Sequence, residues 1–155
     1  MHELILMRHA EAVPAAIDAG DFARALSAQG TAAAVRAAGR LRAAGVQIGR
    51  VLYSPAQRTS ATAAIVAREL GLAAGLLQAL PELYAATPRA IRAAIASHHG
   101  TSRTLLVVGH NPGLSQLGGE LERKHAGQHL PTAGYWRLPI DEGAWQALAR
   151  PAAVK

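Results

Sequence analysis

Short apolar runs alternate with stretches of helical spacing along this chain. The first run, ELILM at 3–7, reads as a buried strand. VPAAIDAGDFARA at 13–25 breaks the pattern and reads as a loop with room for a short helical turn. SAQGTAAAVRAAGRLRAAG at 27–45 puts Ala34, Val35, Ala38 and Leu41 on one helical face, with Ser27 as N-cap and Gly45 as terminator. RVLYS at 50–54 is a second strand broken by Pro55, and AQRTSATAAIVARELG at 56–71 is a helix closed by Gly71.

The second half repeats the alternation. LLQAL at 76–80 is a weaker strand, and a helix starts at Pro88 and runs to 100, because proline suits a first helical turn. RTLLVVGHN at 103–111 holds the strongest strand signal, the unbroken run Leu105 to Val108. A helix at 113–122 follows Pro112, AGYWRLPI at 133–140 alternates like a strand, and GAWQALAR at 143–150 reads as one more strand. Strands alternating with helices predict an α/β fold: a single three-layer domain over 1–155, with a mostly parallel central sheet flanked by helices. No repeat, linker or break in composition marks a second domain.

In such sheets ligands bind outside the carboxyl ends of the strands. The pattern leaves Arg8 and His9 at the end of the first strand, Ser54 and Arg58 after the second, and Gly109 and His110 after the strongest. Each is weak on its own. An Arg-His pair at a strand end is usually surface, and a loop histidine is usually structural. Arg58 is more telling, because a cation at a helix start opposes the helix dipole unless it faces an anion. Together, two arginines and two histidines make a compact positive pocket, to which helix N-termini add N–H donors. A phosphoryl group is the anion that uses so many donors in tetrahedral array. A neutral histidine whose other ring nitrogen donates to a backbone carbonyl could then attack phosphorus.

Composition narrows the field. Half the residues are hydrophobic but only 4% are aromatic, so the core is aliphatic and rich in small residues. The absence of cysteine excludes disulfides, thiolate metal sites and cysteine nucleophiles, and it suits an intracellular protein. No apolar run approaches the roughly 20 residues that span a bilayer, and no basic segment leads into a long apolar one at the N-terminus, so the expectation is a cytoplasmic protein without membrane contact. The formal charge is +6, and Lys124 and Lys155 are the only lysines. An arginine excess favours anionic partners, although a GC-rich coding bias yields the same excess. Nucleic acid is not among the expected partners, since the arginines are scattered and an aromatic platform is lacking. His125 and His129 lie four apart and His98 and His99 are adjacent, but Gly127 interrupts the first pair and no carboxylate completes a set of three, so no metal and no other cofactor is expected.

LMRHAEA resembles the Arg-His-Gly signature of the histidine phosphatase superfamily, the phosphoglycerate-mutase-like proteins. SPAQRTSATA is similar to that family's Ser-x-x-x-Arg block, LPELYAATP to its acidic block and VVGHNPG to its late histidine block, in the family's order. The resemblance implies that His9 is the nucleophile, that Arg8, Arg58 and His110 hold the phosphate, and that Glu82 is the proton donor. As a residue, Glu82 reads equally as a solvated loop carboxylate. Ala10 stands where the family has glycine, tolerable only if its φ is negative, and Ala61 stands where a polar residue is common. Arg58, Glu82 and His110 are too close in sequence for a large lid beyond one helix at 88–100, and an uncovered pocket admits a phosphoryl group on a bulky carrier. In length and in the segment LPTAGYWRL (130–138), the chain is most similar to the SixA-type phosphohistidine phosphatases. Thr132 there is a substrate contact or simply a lead into the next strand. The resemblance therefore implies hydrolysis of a phosphorylated protein through a phosphohistidine on His9. The alternatives are a phosphomonoesterase for small phosphate esters and a non-catalytic module that binds phosphorylated ligands. The sequence gives no oligomeric state.

Overall fold

β1 (His2–Arg8) shows why the chain begins with an apolar run: Leu4, Ile5, Leu6 and Met7 have no exposed surface, because both faces of the strand are covered. Leu4 and Leu6 join one core cluster and Ile5 and Met7 the other, as the two-residue period of a strand requires. The structure, a computed structural model, describes residues 1–150; residues 151–155, the end of the expected domain, lie outside the described residues.

The remaining elements are α1 (Ala28–Ala43), β2 (Arg50–Tyr53), α2 (Gln57–Leu70), β3 (Leu77–Ala79), α3 (Pro88–His98), β4 (Thr104–Gly109), α4 (Gly113–Leu121), β5 (Tyr135–Ile140) and α5 (Glu142–Ala149). The sheet order is β3-β2-β4-β1-β5. All neighbours pair in parallel except β1 with β5. Ala37, Ala38 and Leu41 of α1 and Ala63 and Val66 of α2 cover one face of the sheet. Ile91 and Ile95 of α3, Leu114 and Leu117 of α4, and Trp145 and Leu148 of α5 cover the other. The result is the expected three-layer α/β unit. No described helix is long and apolar enough to cross a membrane.

Local chemistry sets the helix ends. Ser27 Oγ accepts from Gly30 N at 2.9 Å, Thr87 Oγ1 from Ala90 N at 3.2 Å, and Gly71 closes α2 at φ 66°. Gly30 has a further reason: a Cβ there would strike the carbonyl of Glu11, so α1 can approach the segment after β1 only through glycine.

The segment read as a last strand, 143–150, is α5. Asp141 Oδ1 accepts from Ala144 N at 2.8 Å, which caps a helix. Trp145 and Leu148 then fall one turn apart on its single buried stripe. In so short a stretch the apolar spacing fits both periods, and the cap decides.

Candidate active site

β1 and β4 are adjacent and in register, Arg8 opposite Gly109, so the residues that follow them emerge side by side. His9 N donates to Gly109 O at 3.1 Å, and His9 O accepts from Ala133 N at 3.0 Å. The nucleophile expected from the sequence is thus held by its backbone on both sides. β2 ends beside β4, where Ser54 N donates to Val108 O at 3.2 Å. Arg58 stands in the first turn of α2.

These elements enclose a cavity of about 330 Å³ at the carboxyl edge of the sheet. Arg8, His9, Arg58 and His110 all line it, with Asp21, Arg24 and Tyr84. The ring centroids of His9 and His110 are 5.4 Å apart. Arg8 Nη1 donates to Leu130 O at 3.1 Å. Arg8 and Arg58 each keep a buried Nε–H that has no partner among the described residues. A buried donor left unpaired costs about 1–3 kcal/mol, so both guanidiniums have capacity for an oxyanion.

Two imidazole tautomers follow from their partners. His9 Nδ1 lies 2.7 Å from Ala10 O. A carbonyl only accepts, so the hydrogen is on Nδ1 and Nε2 keeps its lone pair. His110 Nδ1 lies 3.3 Å from Arg58 Nη2, which can only donate, so His110 Nε2–H donates to Ser54 Oγ at 2.8 Å. Burial, together with the charges of Arg58, Arg8 and Arg24, lowers the His9 pKa to about 4 against the pull of the Ala10 carbonyl. Burial and then Arg58 lower that of His110 to about 4. Both rings are neutral at neutral pH.

Ala10 is fully buried and is not among the residues with positive φ, so a methyl replaces the family's glycine hydrogen without backbone strain. Its N–H donates to Thr62 Oγ1 at 3.0 Å, and Thr62 Oγ1 donates to Arg58 O at 2.7 Å. One hydroxyl therefore ties the end of β1 to the helix that carries Arg58. Ala61, its neighbour, is half-buried and does not line the cavity.

The anion expected opposite Arg58 is supplied by the chain itself. Arg58 donates to Asp21 O at 2.8 Å and to Asp21 Oδ2 at 3.0 Å. Tyr84 OH donates to the same carboxylate oxygen at 2.6 Å, and Arg24 Nη1 donates to Oδ1 at 3.3 Å. The Tyr84 hydrogen bond, followed by Arg58, lowers the Asp21 pKa to about 2, and Asp21 raises that of Tyr84.

Glu82 does not join the other four. It lies in a 3₁₀ turn, Pro81–Leu83, and its Oε1 is 3.4 Å from His98 Nε2, away from the cavity lining. Leu83 takes the inward position of that turn, at 2% exposure, and Tyr84 reaches the cavity rim. Thr132 lines the cavity, in the turn before β5. Asp21, Arg24, Thr62 and Tyr84 were not expected from the sequence. Asp21 and Arg24 sit in a stretch that reads only as loop, and the one signal for Thr62 is its spacing of one helical turn from Arg58.

A five-stranded, mostly parallel sheet with two arginines and two histidines at its carboxyl edge defines a phosphoglycerate-mutase-like phosphoryl-transfer fold. The chain belongs to the histidine phosphatase superfamily (branch 1), whose family model matches residues 4–88. Among solved structures it is similar to the protein histidine phosphatase SixA complexed with tungstate, at 26% identity over 92% of this chain and 90% of that one, with a TM-score of 0.81. A provisionally assigned phosphohistidine phosphatase SixA from Nakamurella multipartitia matches at 29% identity over 97% of this chain and 90% of that one, with a TM-score of 0.73. The mycobacterial glucosyl-3-phosphoglycerate phosphatase Rv2419c shares the fold, at 14% identity over 94% of each chain and a TM-score of 0.70. No curated protein matches the chain. Membership and neighbours support a phosphatase.

Proposed function

We propose that the chain is a phosphohistidine phosphatase that acts on a phosphorylated protein through a covalent phosphohistidine on His9, with Arg8, Arg58 and His110 binding the phosphoryl group. The observation that carries this is the 2.7 Å contact of His9 Nδ1 with Ala10 O, which leaves Nε2 as an unprotonated nucleophile in the cavity that Arg8, Arg58 and His110 line.

In the first step the Nε2 lone pair forms a bond to phosphorus and the phosphorus–leaving-group bond breaks. The arginines stabilise the charge on the equatorial oxygens. In the second, water attacks phosphorus, the phosphorus–Nε2 bond breaks, the water gives up a proton, and orthophosphate leaves with His9 restored. The scheme consumes only water.

The leaving group separates the two substrate classes. An alkoxide needs a proton as it departs. Among the described residues, the carboxyl groups lining the cavity are Glu11, whose Oε1 accepts from Ser27 Oγ at 2.9 Å, and Asp21, which at a pKa of about 2 is ionised and already bound to Arg58 and Tyr84. Glu82, the acid the resemblance implies, pairs with His98. A phosphoimidazole protonated on its far nitrogen leaves as neutral imidazole and asks for no acid from the enzyme. The site therefore favours a phosphorus–nitrogen bond over a phosphate ester, with a cytoplasmic phosphoprotein as substrate.

The test is a substrate panel with rapid quenching. Hydrolysis of a protein phosphorylated on histidine should exceed that of sugar phosphates, and an acid-labile phosphoryl group should be trapped on His9. His9→Ala should lose activity by about 10³-fold or more, as removal of a nucleophile does. Cleavage of sugar phosphates alone, or full activity in His9→Ala, would refute the proposal.

A further inference from the structure

Among the described residues, four large apolar side chains are exposed: Met1, Val13, Ile17 and Phe22. Scattered examples are ordinary on a protein surface, but three of these fall within one short segment, 13–22. Ile17 is as exposed as a free side chain, at 102%, and Phe22 is at 47%.

The segment is tied down beneath them. Val13 N donates to Ala25 O at 2.8 Å, Arg24 Nε to Val13 O at 2.9 Å, and Arg58 Nη1 to Asp21 O at 2.8 Å. The segment is therefore anchored at both ends, and Val13, Ile17 and Phe22 belong to none of the core clusters.

Phe22 links this segment to the cavity. The Phe22 ring stands edge-on to Tyr84, with centroids 5.2 Å apart, and Tyr84 stands edge-on to His110 at 5.4 Å. A file of rings thus leads from the exposed segment to the phosphoryl pocket. α3, the helix that fills the interval where a lid would be inserted, packs with α4 and α5 in the layer on the far side of the sheet from α1 and α2. It leaves the rim for a large substrate.

We propose that residues 13–22 form a docking ridge for a folded protein that carries phosphohistidine on an apolar surface. This rests on the phosphohistidine reading above. The phosphoryl dianion enters the cationic pocket, and the apolar ground around the phosphorylated side chain covers Val13, Ile17 and Phe22. A free phosphorylated amino acid is too small to occupy both. The ridge thus selects protein-borne over free phosphohistidine.

The experiment compares wild type with the double variant Val13→Ser/Ile17→Ser, and with Ile17→Asp alone. Each is assayed on a folded protein phosphorylated at histidine with phosphoramidate, and on free phosphohistidine. The ratio of the two kcat/KM values should fall about tenfold in the double variant, through KM for the protein, as loss of two well-covered aliphatic contacts predicts. Melting curves should match wild type, because both side chains are exposed. An unchanged ratio in both variants would overturn the proposal. So would a wild-type enzyme that cleaves free phosphohistidine as well as the protein-borne form, with the phosphohistidine reading intact. A wild type that cleaves neither removes that reading and the ridge with it. Light scattering is the last arm: a wild-type dimer that becomes monomeric in the variants with an unchanged ratio assigns the ridge to a second copy of the chain and overturns the proposal.

Discussion

Replacing Thr62 with valine tests whether one hydroxyl couples His9, the proposed nucleophile, to the helix that carries Arg58. Thr62 is fully buried. Valine keeps its shape and removes both of its hydrogen bonds, the one from Ala10 N at 3.0 Å and the one to Arg58 O at 2.7 Å. The Ala10 N–H is then buried without a partner, which costs about 1–3 kcal/mol, and the second lost bond adds roughly 0.5–1.5 kcal/mol. The extra methyl offsets about 0.8 kcal/mol of that. The expected net loss is about 2 kcal/mol, or about 4–8 °C in Tm for a domain of this size. Activity should suffer separately. Ala10 O fixes the His9 tautomer, so a loosened Ala10 should lower kcat about tenfold while KM moves less, as small misplacements of reacting groups do. Urea unfolding and steady-state kinetics on a phosphoramidate measure the two effects. Thr62→Ser, which keeps the hydroxyl, should recover most of kcat while losing only the buried methyl. The reasoning fails if Thr62→Val unfolds within 0.5 kcal/mol of wild type (about a twofold change in equilibrium constant), or if Thr62→Ser is as slow as Thr62→Val.

Other outcomes follow from the same contacts. His9 and His110 have folded pKa values of about 4 against 6.5 for an unperturbed histidine. Between those values the unfolded chain binds more protons, so stability rises with pH across this window and is lost on acidification from about 6.5 to 4. Melting temperatures across that range should show the slope, and a flat profile counts against it. Asp21→Asn removes the carboxylate that competes for Arg58, so the inhibition constant for tungstate should fall about threefold, in the range expected for a partly exposed charge; weaker tungstate binding would make Asp21 purely a positioning group. Gly30→Ala drives a methyl into the Glu11 carbonyl and should cost about 1–3 kcal/mol in urea unfolding. Wild-type stability there would show that α1 can shift.

What the sequence made legible was set by local and periodic signals. The run Leu4 to Met7 reads as a strand covered on both sides, and the Ser27 cap, Pro88 and Gly71 marked their helix ends in advance. The strand ends brought Arg8, His9, Arg58 and His110 to one cavity because the sheet order follows the rule for parallel layers. The misread segment was 143–150, where eight residues are too few to separate two periods. Glu82 was assigned by its place in a tripeptide, but which residue of a turn faces inward depends on where Leu83 finds its core. Asp21 and Tyr84 meet across 63 residues of chain, and nothing in the local pattern of either announces the other.

The two halves of the cavity are built from different materials. Its floor hangs on the main-chain ladder between β1 and β4, at the centre of the sheet, while its rim at Asp21, Arg24 and Phe22 is fastened largely by side chains to a loop. Under mild denaturant the rim should open long before the ladder, as loosely protected segments do. On the proposed docking, the molecule would then pass through a form that keeps its phosphoryl pocket but no longer selects what is brought to it.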